Sequence, residues 1–114
     1  MAEFLYLFRG GDAERAAQSP EEMQAQMGRW MQWMERLGKE GKLSGGQPLG
    51  KEGKFVIGKS QSVTDGPYAE GKEVVGGYLI VKANDIHEAT EISKGCPIFE
   101  HTDGSVEIRP ILAM

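Results

Sequence analysis

Cysteine is nearly missing from this sequence. Cys96 stands alone in 114 residues, so no disulfide can close within the chain and no Cys-x-x-Cys site exists. Histidine is almost as scarce: His87 and His101 are not spaced as His-x-x-x-His, which removes the common zinc patterns. No lysine motif of a phosphate-binding loop follows Gly10-Gly11, so nucleotide binding has no signature. Basic charge is not in excess either. With 13 basic against 17 acidic residues the net charge is -4, the wrong sign for nucleic acid or an anionic membrane. Long apolar runs are absent; residues 4–8 form the longest one near the start, far short of the roughly 20 residues a membrane helix needs. No basic region followed by a long apolar segment opens the chain. The expectation is a cytoplasmic protein with no cofactor, no metal, no nucleic-acid partner and no membrane partner.

The residues that are present organise into alternating strands and helices. FLYLF at residues 4–8 is apolar on both alternating faces, the pattern of a central strand covered on two sides. Ser19-Pro20-Glu21-Glu22 opens a helix: Ser19 caps, Pro20 suits the first helical position, and Glu22 completes a reciprocal capping box. Met23, Met27, Trp30, Met34 and Leu37 recur at steps of four and three, which puts them on one stripe that lies on a sheet, and Gly41 supplies the stop. Residues 42–44 suit a short strand, and Gly45-Gly46-Gln47-Pro48 is expected to break any regular element. Phe55-Val56-Ile57 reads as a further strand, which makes residues 42–65 a strand, a loop and an edge strand. VVGGYLIVKA at 74–83 is the clearest later strand, with a bulge expected at Gly76-Gly77. Asn84 or Asp85 caps a second helix, with Ile86, Ala89 and Ile92 facing inward and Gly95 at its end. SVEIRPIL at 105–112 alternates as a last strand, which Pro110 places at an edge or near its end.

This order is the split βαβ pattern of an α+β, ferredoxin-like sandwich: one antiparallel sheet with two helices on one face. Two helices cover one face only, yet residues 4–8 and 78–81 are apolar on both. The bare face is therefore expected to pack on a second copy, making a homodimer of the dimeric α/β barrel type. No repeat, low-complexity tract or linker divides the chain, and residues 1–114 read as one domain.

Charge concentrates in SVTDGPYAEGKEVVGGY, residues 62–78. Asp65-Gly66-Pro67 has a purely structural reading, since Asp65 can accept backbone N–H bonds, Gly66 permits positive φ and Pro67 fixes its own φ. Under the functional reading Asp65 is a general base or acceptor, and Glu70 and Glu73 are neighbouring carboxylates able to raise one pKa. Lys72 either holds an anion or neutralises those two glutamates. Glu107 and Arg109 share one strand face, where Arg109 either clamps a carboxylate or phosphate or pairs internally with Asp65 or Glu70. With Tyr68 turned to the same place, the set suits a small polar or anionic ligand. Trp30 and Trp33 are about 300° of rotation apart, which is about 60° around the helix, so they are not expected both to sit squarely on the central stripe, and one of them is either a pocket or seam residue or core packed among Met27, Met31 and Met34. Cys96 reads as a small buried apolar group or as a nucleophile.

Thr64-Asp65-Gly66-Pro67-Tyr68-Ala69-Glu70, Lys72-Glu73, Gly76-Gly77-Tyr78, Cys96-Pro97 and Val106-Glu107-Ile108-Arg109-Pro110 together resemble the YCII-related proteins, in particular their DGPF-domain branch. The resemblance spans essentially the whole chain as a single YCII-related domain. It implies the dimeric α/β barrel and a cleft proposed as an active site. The chemistry of the residues themselves makes Asp65 the catalytic candidate and Tyr68, Glu70, Lys72, Glu73, Arg109 and Trp30 the ligand-binding candidates. The resemblance equally admits a non-catalytic binding or regulatory module associated with an alternative sigma factor. Another branch of the family resembles a His/Asp pair, with its histidine on the first helix about a dozen residues before a Gly-Lys-Leu turn. Counting back from Gly41-Lys42-Leu43 leads close to Trp30, and that helix contains no histidine, so His/Asp chemistry does not transfer.

Overall fold

A computed structural model describes residues 1–65 and 74–114. Strand β1 (Ala2–Arg9) lies inside a four-stranded sheet with order β2-β5-β1-β6, where β2 is Leu43–Pro48, β5 is Val75–Ala83 and β6 is Ser105–Pro110. Every neighbouring pair is antiparallel. With helix α2 (Pro20–Lys39) between β1 and β2, and helix α3 (Ile86–Ser93) between β5 and β6, this is the ferredoxin-like split βαβ arrangement. The central place of β1 and the edge place of β6, with Pro110 as its last residue, agree with the sequence pattern.

Both helices cover the same sheet face. Phe4, Tyr6 and Phe8 of β1 and Leu79, Val81 and Ala83 of β5 form one core with Trp33 and Leu37 of α2 and Ala89 of α3. The Tyr6 hydroxyl donates to the Ala89 carbonyl oxygen, tying β1 to α3, and burial pushes its phenol well above the ordinary value. Aromatic rings continue the core as a ladder of edge-on contacts: Tyr6 to Phe8 at 6.3 Å, Phe8 to Trp30 at 5.2 Å and Trp30 to Trp33 at 6.0 Å between centroids.

Local signals fix the helix starts. Ser19 Oγ accepts from Glu22 N at 3.1 Å while Glu22 Oε1 accepts from Ser19 N at 3.3 Å, the reciprocal box read from sequence. Asp85 caps α3 by accepting from Glu88 N at 2.8 Å, and the Glu88 carboxylate reaches back to Asn84 N. The expected bulge is also present: pairing of β1 with β5 jumps from Phe8–Gly77 to Arg9–Val75, leaving Gly76 unpaired in the register.

Several elements differ from expectation. The buried stripe of α2 is Gln26, Trp33 and Leu37 with Trp30 and Met34 beside it, whereas Met23 and Met27 are exposed. Gln26 turns inward because its amide nitrogen lies 2.8 Å from Nε2 of buried His101, a partner 75 residues away. Gly45 to Pro48 do not break the chain but continue β2; the pairing is irregular between Leu43 and Gly45, and a Cβ on Gly46 would sit 2.5 Å from the Tyr78 carbonyl oxygen. Residues Ser62–Asp65 form an unforeseen strand, β4, paired with β3 (Lys54–Ile57) as a separate two-stranded hairpin. Ile86 is exposed rather than inward-facing, and Leu112 lies beyond the end of β6 and is also exposed.

A short helix α1 (Asp12–Ala16) explains Gly10-Gly11. Both glycines take positive φ, and a Cβ on Gly10 would lie 2.1 Å from the Asp103 carbonyl oxygen. The close approach lets Asp103 accept from Gly11 N at 2.8 Å and Glu14 accept from Thr102 N at 2.8 Å and from His101 Nδ1 at 3.2 Å. These bonds, the Thr102 amide first, hold the Glu14 carboxyl below its usual range. The glycine pair thus seats α1 on the loop before β6.

Among the described residues no helix is long and apolar enough to cross a membrane. The molecule measures 46 × 44 × 19 Å, and the short dimension is that of one sheet and one helix layer.

Candidate functional site

Alternation along the strands decides which side chains meet on the sheet face opposite the helices. On β1 these are Glu3, Leu5, Leu7 and Arg9; on β5, Tyr78, Ile80 and Lys82; on β6, Glu107 and Arg109. Register then aligns Ile80, Leu5 and Arg109 in one row and Gln47, Tyr78, Leu7 and Glu107 in the next. An apolar centre is therefore edged by charge. Arg9 Nη1 bonds Glu107 Oε1 at 2.7 Å along one margin, and the Arg109 side chain, one row away, has no hydrogen bond or ion pair among the described residues. An arginine left unpaired beside apolar side chains presents a planar fork to any anion that arrives there.

Asp65 ends β4 in the projecting hairpin, where every residue of both strands is exposed. Cross-strand register puts Lys54 opposite it, and Lys54 Nζ bonds Asp65 Oδ1. Asp65 thus pairs with Lys54 and not with Arg109. Tyr68, Glu70, Lys72 and Glu73 lie outside the described residues. Trp30 packs edge-on against Phe8 and Trp33 on the helix-covered face, with the sheet between it and Arg109. The structure therefore gathers Arg109 with the apolar sheet face, and sets Trp30 apart from it.

A second concavity was missed by sequence reasoning. Between α2 and the chain that leaves α3 through a 3-10 turn (Pro97–Glu100) lies an open groove with a volume of about 480 Å³. Arg29 and Arg36, seven apart and so on one flank of α2, line it with Trp33, facing Cys96, Phe99 and Glu100. Arg29 grips Glu100 with both ends of its guanidinium, Nε at 2.8 Å and Nη2 at 2.7 Å, and this holds the Glu100 carboxyl below its usual range. Two arginines on a helix flank read as an ordinary solvated face from sequence. The partner wall comes from 71 residues further on, and nothing local announces it.

Cys96 is buried, its Sγ 3.4 Å from Ile98 N, and burial pushes the thiol up to about 12. That settles it as a small apolar group in the resting fold. DTNB at about pH 8 is expected to leave native Cys96 unlabelled and to titrate one thiol per chain once denaturant unfolds the protein. Rapid labelling of the native state would contradict its burial. Among the described residues no group of His, Cys, Asp or Glu is arranged to hold a metal ion.

The family model of the YCII-related domain matches residues 4–114. The chain belongs to the YCII-related family. No curated protein matches it. Among solved structures it is similar to 5-chloro-2-hydroxyhydroquinone dehydrochlorinase from Burkholderia phenoliruptrix AC1100, in a complex with 2,5-dihydroxybenzoquinone, at 16% identity and a TM-score of 0.49 over 94% of this chain and 91% of that one. A likeness of that strength carries nothing about chemistry. The place on α2 where one branch of the family resembles a histidine is held here by the neighbourhood of Trp30, which is partly buried against the core.

Proposed function

We propose that this YCII-related protein, of the DGPF-domain branch, is a cytoplasmic homodimer that binds a small polar or anionic ligand beside the bare sheet face. The observation that carries the reading is that face itself: Leu5, Leu7, Tyr78 and Ile80 lie together with no layer of described residues over them, and the Arg109 side chain at their margin has no partner among the described residues. Covering such a face with its own copy is the economical way to remove apolar surface from water. The ligand would meet Arg109, with the residues of the charged stretch, Asp65, Tyr68, Glu70, Lys72 and Glu73, completing the cleft.

Binding is favoured over catalysis as the primary role by one observation. Asp65, the catalytic candidate, is exposed and ion-paired with Lys54, the situation of a hydrated surface carboxylate. A ligand-responsive regulatory module, of the kind associated with an alternative sigma factor, fits this description without further chemistry.

Sedimentation velocity is expected to give twice the 12.5 kDa of the chain. Thermal melting of the wild type, Asp65→Asn and Arg109→Gln against succinate, glutamate and glucose 6-phosphate then tests the ligand. One of these acids at about 100 times its Kd should raise Tm by roughly 10 °C, since such saturation adds about 2.7 kcal/mol, and Arg109→Gln should abolish the rise. A monomer, or a ligand shift indifferent to Arg109, rejects the proposal. A shift that survives Asp65→Asn assigns Asp65 to the hairpin alone.

A further inference from the structure

The groove along α2 carries a different site, independent of the sheet face. Glu100, the one acid among the described residues that line the groove, is already neutralised by Arg29 through two hydrogen bonds. The Arg36 side chain, two turns along the same flank, makes no hydrogen bond or ion pair with any described residue, so among the described residues lining the groove one positive charge is uncompensated. Trp33 adds a donor. The residue lines the groove and is only 3% exposed, yet its indole N–H has no acceptor among the described residues. A buried indole N–H ordinarily finds a partner. The space at Trp33 is kept by Gly95, where a Cβ would stand 3.1 Å from Nε1. Across the groove the wall changes character: Pro97 and the half-exposed ring of Phe99 are apolar, and the Cys96 thiol beside them is neutral. A cation and a free N–H on one side, with an apolar shelf on the other, match an anion that has an apolar body.

We propose that this groove binds an organic carboxylate, its head held by the Arg36 guanidinium and the Trp33 indole N–H and its body lying against Pro97 and Phe99. A charge-assisted fork from arginine supplies most of the affinity, and the shelf discriminates against anions that are polar throughout.

The test uses the full chain labelled with ¹⁵N, titrated with sodium benzoate, with benzamide as the uncharged analogue and inorganic phosphate as an anion without the apolar body. The chain has two tryptophans and so two indole N–H signals, which Trp33→Phe assigns. Benzoate is expected to move the Trp33 signal saturably and leave Trp30 nearly still. Arg36→Gln, a change at an exposed position that keeps the fold, should weaken benzoate binding about tenfold or more. Arg109→Gln should leave it unchanged, which separates this site from the one on the sheet face. Three results would overturn the proposal: no movement of the Trp33 signal by about 10 mM benzoate, affinity undiminished in Arg36→Gln, or benzamide or phosphate binding as tightly as benzoate.

Discussion

Ile80→Asp is expected to convert the protein from dimer to monomer in sedimentation velocity, at concentrations where the wild type is fully paired. Ile80 lies beside Leu5 in the middle row of the uncovered face, so in a dimer joined there its side chain is at the centre of the seam. An aspartate in that place must either be buried without a partner, at a cost of several kcal/mol, or hold the two faces apart. Either way association weakens by three or more orders of magnitude, because each 1.4 kcal/mol is tenfold. The fold of each protomer should survive, since the helix-side core of Phe4, Tyr6, Trp33 and Val81 is untouched. Leu112→Asp serves as the control: Leu112 is 80% exposed and lies beyond β6, and its replacement should leave the mass unchanged. An Ile80→Asp protein that sediments and melts as the wild type does would mean that the face is solvated, and the dimer proposal would fail with it.

What the sequence disclosed and what it hid follow from the reach of the interactions involved. The capping box at Ser19 and Glu22 closes within three residues, and the Gly76 bulge interrupts one strand, so both were legible. The charge alternation of Glu107 and Arg109 placed them correctly on one face. The partner of Asp65 was not legible, because Lys54 reaches it only through the register of a β3–β4 hairpin whose second strand, Ser62–Asp65, has few of the apolar residues that mark a strand. Gly45 and Gly46 looked like a break for a related reason: glycine weakens a strand on its own, but here β5 approaches so closely that only a glycine fits at 46. The groove at Arg36 was hidden most thoroughly. Its walls meet through tertiary packing of α2 against the turn after α3, which no window of sequence contains.

Trp33→Ala and Met27→Ala are expected to differ sharply, and the contrast tests how α2 is turned. The methionine periodicity centres its apolar stripe near Met23, with Met27 toward one side, while the structure rotates the buried face by roughly 60° about the helix axis, at 100° per residue, toward Gln26 and Trp33. Two distant residues hold that rotation. His101 receives the Gln26 amide, and Gly95 clears the space beside the Trp33 indole. Burying the larger indole and satisfying a buried imidazole outweigh what two flexible thioethers gain by facing inward. Trp33 is 3% exposed and stacks edge-on against Trp30, so its truncation removes a ring from the aromatic ladder and leaves a cavity under α2. Such changes cost about 3–5 kcal/mol, which lowers Tm by roughly 12–20 °C in a domain of this size. Against a total stability of about 5–15 kcal/mol, the variant sits at the margin of folding. Met27 is 67% exposed, and its replacement by alanine should fall within about 0.5 kcal/mol of the wild type. Equal losses in chemical denaturation would place the helix in the orientation its methionines suggest, and would remove Trp33 from the groove along with its proposed ligand.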